Sequence, residues 1–126
     1  MKKGMLLLIA LVASMTSYTV AYDVTNTIDS TATYIDVRSI NAKERLHADI
    51  KGAIWVDPHS LMDINDFLKS ADKDKKYIVF CACPHDEYST AFAELMDREG
   101  FTSVIVLKDG WDVLSRNHLP IRRDFL

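Results

Sequence analysis

The stretch YIVFCACPHDEYS, residues 77–89, decides the fold of this protein. It joins an apolar run that ends at Phe80 to an amphipathic segment that begins at Ser89. This pattern predicts a buried strand that leads into a helix. The loop between them holds both cysteines of the chain, Cys81 and Cys83. In α/β proteins the loops at the carboxyl ends of the strands are where ligands bind, so this loop is the first candidate for a functional site.

The segments on either side repeat the alternation of strand and helix. We predict strands at residues 33–37, 53–56, 77–81 and 103–107, which are short and almost continuously apolar, as in strands buried on both faces. We predict helices at residues 41–47, 60–70, 90–99 and 110–117. The third helix would have Ser89 as its N-cap and Gly100 at its C′ position, and Pro120 would follow the last. The expected fold class is α/β, a three-layer sandwich with a mostly parallel sheet between helices.

The first 21 residues have the composition of a secretory signal peptide. Lys2 and Lys3 precede an apolar run at residues 5–12, and small residues follow up to Ala21. The run is shorter than the roughly 20 residues of a membrane-spanning helix, although an uncleaved anchor is the alternative. We therefore expect a signal peptide at 1–21 and one domain at 22–126. We expect export, to the periplasm if the source is a Gram-negative bacterium, and no membrane contact after cleavage.

The charge of the predicted mature chain argues against nucleic acid as a partner. Without Lys2 and Lys3, 13 of the 15 Lys and Arg residues remain against 18 Asp and Glu, a formal charge of −5. Apart from Arg122 and Arg123, no basic cluster is present. We also find no internal repeat or linker, and we expect a monomer.

The position of the two cysteines predicts a reactive thiol. A helix N-terminus presents free N–H groups and the positive end of its dipole, which stabilise a thiolate and make it nucleophilic. Three other interpretations remain open. Cys81 alone would be a small buried apolar residue, Cys81 and Cys83 would form a local disulfide, or both would bind zinc or cuprous copper together with His85.

Five segments, in this order, resemble the rhodanese-like family of sulfurtransferases between about Thr33 and Ile121. They are Tyr34-Ile-Asp-Val-Arg38, Ala48-Asp-Ile-Lys-Gly-Ala53, Ile78-Val-Phe-Cys81, Gly100-Phe-Thr-Ser-Val-Ile-Val-Leu107, and Asp109-Gly-Trp111 with Leu119-Pro-Ile121. The loop CACPHDEYS is similar to a C-x-C-P subgroup. The resemblance implies a five-stranded parallel sheet and a cysteine nucleophile that takes sulfane sulfur as a persulfide. The sulfur would pass from a donor to a thiol or another nucleophile.

The resemblance leaves the identity of the nucleophile open. Counting back from Ser89 selects Cys83, whereas counting along the strand selects Cys81. We favour Cys81, because Pro84 removes an N–H next to Cys83, which would then act as a relay or resolving thiol. The candidate catalytic residues are Cys81 and Cys83. Candidate substrate contacts are Ala82, Pro84, His85, Asp86, Glu87, Tyr88 and Ser89. We predict no cofactor and no metal ligand.

The loop also departs from the family in its charge. It holds Asp86 and Glu87 and no arginine, so we expect weak activity with thiosulfate. A small neutral persulfide or a protein thiol is the expected partner, and the missing arginine argues against phosphatase relatives. His85 would deprotonate an incoming thiol or simply be solvated. The rival functions are thiol–disulfide exchange through the cysteine pair and non-catalytic metal or sulfur binding.

Several residues outside the loop are interpreted as scaffold. Asp36 and Arg38 are expected to bind the backbone and a neighbouring acid such as Glu44. Asp49 stands where the family has histidine, so no role is carried over to it. Trp55 and Trp111 are expected in the core or in a pocket wall. No role is predicted for His47, His59 or His118.

Overall fold

The structure, a computed structural model, describes residues 22–117 and 120–122. The predicted signal peptide, residues 118–119 and residues 123–126 lie outside the described residues. The strands are β1 Asp23–Thr25, β2 Thr33–Asp36, β3 Ala48–Ile50, β4 Ile54–Trp55, β5 Lys76–Phe80, β6 Ser103–Leu107 and β7 Pro120–Arg122. The helices are α1 Ile40–Leu46, α2 Leu61–Ser70, α3 Glu87–Arg98 and α4 Gly110–Arg116, with a 3₁₀ turn at Pro84–Asp86.

Five strands form a parallel sheet in the order β1-β6-β5-β2-β4, which confirms the predicted fold class. The central strand, β5, is paired with β2 and β6 on its two sides. Asp36 pairs in register with Phe80, so β2 and β5 end at the same edge of the sheet. The Val37 N–H donates to the Phe80 carbonyl oxygen at 3.0 Å just beyond this pair. The segments after β2 and β5 therefore leave the sheet side by side.

The alternation of side chains along β5 divides the core into two clusters. Tyr77, Val79 and Cys81 belong to the cluster that also contains residues of α2 and α3. Ile78 and Phe80 belong to the cluster that also contains residues of α4 and β3. All five side chains are almost fully buried. This two-sided burial explains why β5 has no polar residue after Lys76.

Local signals explain where most helices begin and end. Ser39 and Ser60 accept N–H bonds from Ala42 and Asp63, each at 3.2 Å, and so cap α1 and α2. Gly100 follows α3 with φ at 90°, a conformation that glycine adopts without steric cost. The last helix ends at Arg116 rather than at residue 117, and Pro120 lies in β7.

The prediction that Ser89 caps the third helix is wrong. Helix α3 begins three residues earlier than predicted, at Glu87, with Asp86 as its N-cap. Pro84 has a fixed φ and favours the first position of a helical turn, so the 3₁₀ turn forms directly before α3. Ser89 consequently lies inside the helix, where it is completely buried.

Two features of the fold were not predicted. The short strands β3 and β7 pair in antiparallel fashion as a separate two-stranded sheet, and β1 adds an edge strand beside β6. Each has only three residues, too few for the sequence to show a periodic pattern. Within the described part of the chain, no helix combines the length and apolar character needed to cross a membrane.

Candidate functional site

The two cysteines lie at the carboxyl end of the central strand and are joined by a disulfide bond. Cys81 directly follows β5 and is 1% exposed, whereas Cys83 is only partly buried. The Cys83 sulfur accepts a hydrogen bond from the backbone N–H of Tyr88 at 3.4 Å. Tyr88 lies in the first turn of α3, so one free N–H of that helix is directed at the sulfur. The less buried cysteine is therefore also the one whose sulfur accepts an N–H bond from the start of α3.

The loop between the cysteines and α3 is held by its own polar groups. His85 and Asp86 both have φ at 55°, in the left-handed region. The Ser89 hydroxyl donates to the Asp86 carbonyl oxygen at 3.1 Å and lies 3.5 Å from the Cys81 sulfur. The Asp86 carboxylate accepts from the backbone N–H of Asp109 at 3.1 and 3.2 Å. Asp86 thus ties the loop to the start of α4.

The start of α4 lies directly against the end of β5. The Trp111 N–H donates to the Cys81 carbonyl oxygen at 3.2 Å. A Cβ atom on Gly110 would lie 2.5 Å from the Phe80 Cβ, closer than such atoms ever come. Glycine at this position therefore allows α4 to contact the strand end and form one wall of the site.

A buried arginine packs against the wall that α4 forms. Arg38 is 1% exposed and binds the Asp36 carboxylate at 2.7 Å and the Asp49 carboxylate at 2.9 Å. It also donates to the Ala48 carbonyl oxygen at 2.9 Å. The acid that pairs with Arg38 is thus Asp49 and not the expected Glu44. His47, which follows α1 in a left-handed conformation, turns the chain so that β3 lies next to the guanidinium.

The two tryptophans that were expected in the core or in a pocket wall both contact Arg38. Trp111 is 9% exposed, and its ring is covered by the Arg38 guanidinium. Trp55 donates its indole N–H to the Arg38 carbonyl oxygen at 2.9 Å and receives the Lys43 ammonium 4.3 Å from its ring centroid. Both tryptophans therefore belong to the support of the site, and Trp111 also lines it.

Two cavities open beside the cysteine pair. The larger, of about 340 Å³, extends towards α4 and includes His85, Asp109, Trp111 and Asp112. The smaller, of about 230 Å³, extends towards α1 and includes Arg38, Glu87 and Tyr88. Both are lined by Cys81, Ala82, Cys83, Pro84 and Arg45. A cavity of about 500 Å³ between β4 and α2 contains neither cysteine, so we attach no reaction to it.

Arg45 is the site residue that sequence reasoning missed. The observation that the loop itself lacks arginine is correct, but α1 places an exposed guanidinium at both cavities. Arg45 lies 36 positions before Cys81 in the chain, outside every segment that resembled the family. Only its position in the last turn of α1, facing the loop, makes it part of the site.

Tyr88 and His59 connect the site to the segment before α2. The Tyr88 hydroxyl and His59 Nε2 are 3.2 Å apart, and their rings meet edge to face with centroids 5.4 Å apart. Tyr88 therefore lies at the smaller cavity, and His59 has a structural contact that the sequence did not indicate.

The described residues include no group of three or more His, Cys, Asp or Glu side chains placed to hold a metal ion. The metal alternative with Cys81, Cys83 and His85 also needs thiolates, whereas here the two sulfurs are bonded to each other. The local-disulfide alternative is the one that matches this geometry.

The fold and the site together agree with the family model for the rhodanese-like domain, which matches residues 20–117. The chain therefore belongs to the rhodanese-like family, a scaffold of the sulfurtransferase type. A comparison with curated proteins finds no match to the chain.

Solved structures show the same fold. A rhodanese-like domain from an Anabaena protein is 25% identical, with a TM-score of 0.58, covering 71% of this chain and 95% of that one. A rhodanese-related protein from Thermoplasma volcanium is 24% identical, with a TM-score of 0.56, covering 72% and 84%. The reduced CoADR-RHD protein of Bacillus anthracis is 21% identical, with a TM-score of 0.54, covering 71% and 15%. These similarities agree with the family assignment and add no activity to it.

Proposed function

We propose that the protein is a sulfurtransferase that carries sulfane sulfur as a persulfide on its cysteine pair. The observation that carries this proposal is the position of Cys83. Its sulfur lies beside two open cavities and accepts an N–H bond from the first turn of α3. An N–H donor and a helix N-terminus both stabilise a thiolate, the form of cysteine that attacks sulfur.

The reaction begins when two external thiols reduce the Cys81–Cys83 disulfide by exchange and leave as their own disulfide. A cysteine thiolate then attacks the outer sulfur of a persulfide donor, forms a new sulfur–sulfur bond and releases the donor as its thiolate. An acceptor thiolate takes that outer sulfur in the same way and restores the protein thiolate. Alternatively, the second cysteine attacks the inner sulfur, which reforms the disulfide and releases hydrosulfide.

Exposure assigns different roles to the two cysteines in this proposal. Cys83 meets the donor, because this residue is only partly buried, and Cys81 resolves the persulfide from its buried position. The sequence favoured Cys81 as nucleophile because Pro84 has no N–H to donate to Cys83. In the structure the N–H of Tyr88 donates to the Cys83 sulfur instead, so Cys83 does not need an N–H from Pro84.

Intact-mass spectrometry of the reduced protein tests both the function and the roles. After incubation with glutathione persulfide, Cys81→Ser should gain one sulfur atom and retain it, because the resolving thiol is missing. Cys83→Ser should gain none. A sulfur adduct on Cys83→Ser that is lost in Cys81→Ser would reverse the assignment. No adduct on any form would reject sulfur transfer.

The disulfide in the structure supports a second candidate, thiol–disulfide exchange. That reaction requires both cysteines and changes the protein mass by two hydrogens, with no sulfur gained. Incubation of the reduced protein with oxidised dithiols, followed by the same mass measurement, separates the two. Reoxidation by a dithiol disulfide without any uptake of sulfur from persulfides would favour exchange.

We further propose that the protein is exported after cleavage behind Ala21, as the pattern of residues 1–21 predicts. N-terminal sequencing of the protein from cell fractions tests this. A mature chain that begins at Tyr22 is expected, and a retained Met1 would contradict the proposal.

A further inference from the structure

We propose that Arg45, Asp109 and Asp112 form a charge-paired subsite that selects a small zwitterionic persulfide, such as cysteine persulfide, as the sulfur donor. This inference rests on the proposed sulfur transfer, since it names the donor for that reaction. It differs from the expectation drawn from the loop alone, which favoured a neutral donor because Asp86 and Glu87 would repel an anion.

Arg45 supplies the positive group of the subsite. It lines both cavities beside the cysteine pair, is exposed, and makes no ion pair with any residue in 22–117 or 120–122. An arginine guanidinium binds a carboxylate through two parallel hydrogen bonds. A donor carboxylate held by Arg45 would therefore lie at the cavity that contains the Cys83 sulfur.

Asp109 and Asp112, at the start of α4, supply the negative groups. Both line the larger cavity with Arg45, and both are exposed. Asp109 uses its backbone N–H to bind Asp86, and Asp112 uses its carbonyl oxygen to bind Arg116. The two carboxylates make no hydrogen bond or ion pair with the residues that the structure describes, so both are available to a ligand ammonium.

The distribution of charge in the larger cavity favours a donor that carries both a positive and a negative group. A simple dianion such as thiosulfate would meet one guanidinium and two carboxylates in the larger cavity, which is unfavourable. Asp86, whose carboxylate accepts the Asp109 N–H, keeps its negative charge and adds to this repulsion. An amino acid persulfide can place its carboxylate at Arg45 and its ammonium at Asp109 and Asp112, with its terminal sulfur directed to Cys83.

The test compares donors and variants that change one charge each. The initial rate of sulfur uptake is measured by mass spectrometry against concentration, for cysteine persulfide and for thiosulfate. Arg45→Ala should raise KM for both donors about five-fold, the scale of one partly exposed ion pair. Arg45→Lys should give a smaller increase, because it retains the charge and loses the paired geometry. Arg98→Ala, at the far end of α3, is the matched control and should change nothing.

Asp112→Asn gives the more specific result. It should raise KM for cysteine persulfide about two- to five-fold and lower KM for thiosulfate, because one repulsive carboxylate is removed. Equal effects on both donors, or none, would overturn the zwitterionic subsite. An unchanged KM in Arg45→Ala would overturn the role of Arg45.

Binding of unreactive probes keeps this inference separate from sulfur transfer itself. S-methylcysteine and sulfate are titrated into the protein while the indole N–H resonance of Trp111, in the wall of the larger cavity, is followed by NMR. S-methylcysteine should bind more weakly to both Arg45→Ala and Asp112→Asn, whereas sulfate should bind more weakly only to the former. If no donor transfers sulfur but this pattern is found, the proposed function fails and the subsite stands. If S-methylcysteine causes no shift, the subsite is rejected.

Discussion

The guanidinium of Arg38 lies over the indole ring of Trp111, with 4.2 Å between Arg38 Cζ and the ring centroid. Arg38 follows β2 and Trp111 lies in the first turn of α4, so this contact joins the two segments that flank the end of β5. The same guanidinium donates hydrogen bonds to the Asp36 and Asp49 carboxylates. One buried cation therefore holds the wall of the larger cavity in place.

Replacing Arg38 by lysine should lower the free energy of unfolding by about 2–4 kcal/mol, because an ammonium cannot reproduce the paired bonds or the stacking. Urea unfolding measures the change. Arg98→Lys is the matched control and should stay within about 0.5 kcal/mol of wild type, since Arg98 is exposed. Equal stability of Arg38→Lys and wild type would show that the buried network contributes little.

Gly110→Ala should destabilise the protein by about 1–3 kcal/mol, because the added Cβ would overlap with the Phe80 side chain. Thermal or urea unfolding measures this loss. Ser115→Ala, a substitution to alanine later in the same helix, should have an effect below about 0.5 kcal/mol. If both variants lose the same stability, close contact between α4 and β5 is not the cause.

Asp86→Ala should loosen the loop from α4. It removes the acceptor of the Asp109 N–H and places alanine at a left-handed φ, for a combined loss of about 1–3 kcal/mol. Asp86→Asn should lose less, because asparagine retains an acceptor and tolerates this conformation. Amide hydrogen exchange should become faster at Asp109 in the alanine variant. Unchanged exchange there would contradict the anchoring role.

The ion pair between Asp29 and Lys76, 2.8 Å apart, should make stability depend on pH in the acid range. The hydrogen bond from Lys76 lowers the pKa of Asp29 well below its ordinary value of 3.8. Hydrogen bonds from Thr31 are the second cause of this shift. A carboxyl group with a lowered folded-state pKa adds stability above its unfolded pKa and loses that contribution as the pH falls through the folded one.

Asp29→Asn should therefore be less stable than wild type at neutral pH, and the difference should shrink as the pH falls to about 2 and below. Urea midpoints over this range measure it. Lys76→Gln should show the same trend, and the double variant should add little to either single variant. A difference that does not depend on pH would show that the ion pair is not its source.

The sequence predicted the fold well where the signal is local and repeated. The apolar runs around Val37, Val79 and Val106 predicted β2, β5 and β6, and Ser60 and Gly100 marked helix ends correctly. The start of α3 was predicted wrongly, since Ser89 and Glu87 are both acceptable near a helix N-terminus. The 3₁₀ turn that begins at Pro84 decides between them, and Asp86 at its end also accepts the Asp109 N–H beside α4.

Part of the candidate site was visible in the sequence and part was not. The cysteine pair and its place after a central strand follow from residues 77–89 alone. Arg45, and the exchange of Glu44 for Asp49 at Arg38, depend on how α1 and β3 fold back over the sheet. No local pattern carries that information, because the partners are far apart in the chain.

The sequence by itself determined the α/β class, the family resemblance and the loop that carries the cysteines, because hydrophobic period, caps and motif order are properties of neighbouring residues. The tertiary structure decided which cysteine is accessible, which carboxylates are already bound and where the guanidinium of Arg45 lies. Burial and charge pairing at the site are set by side chains that distant segments bring together, since they depend on distances in space rather than on spacing along the chain.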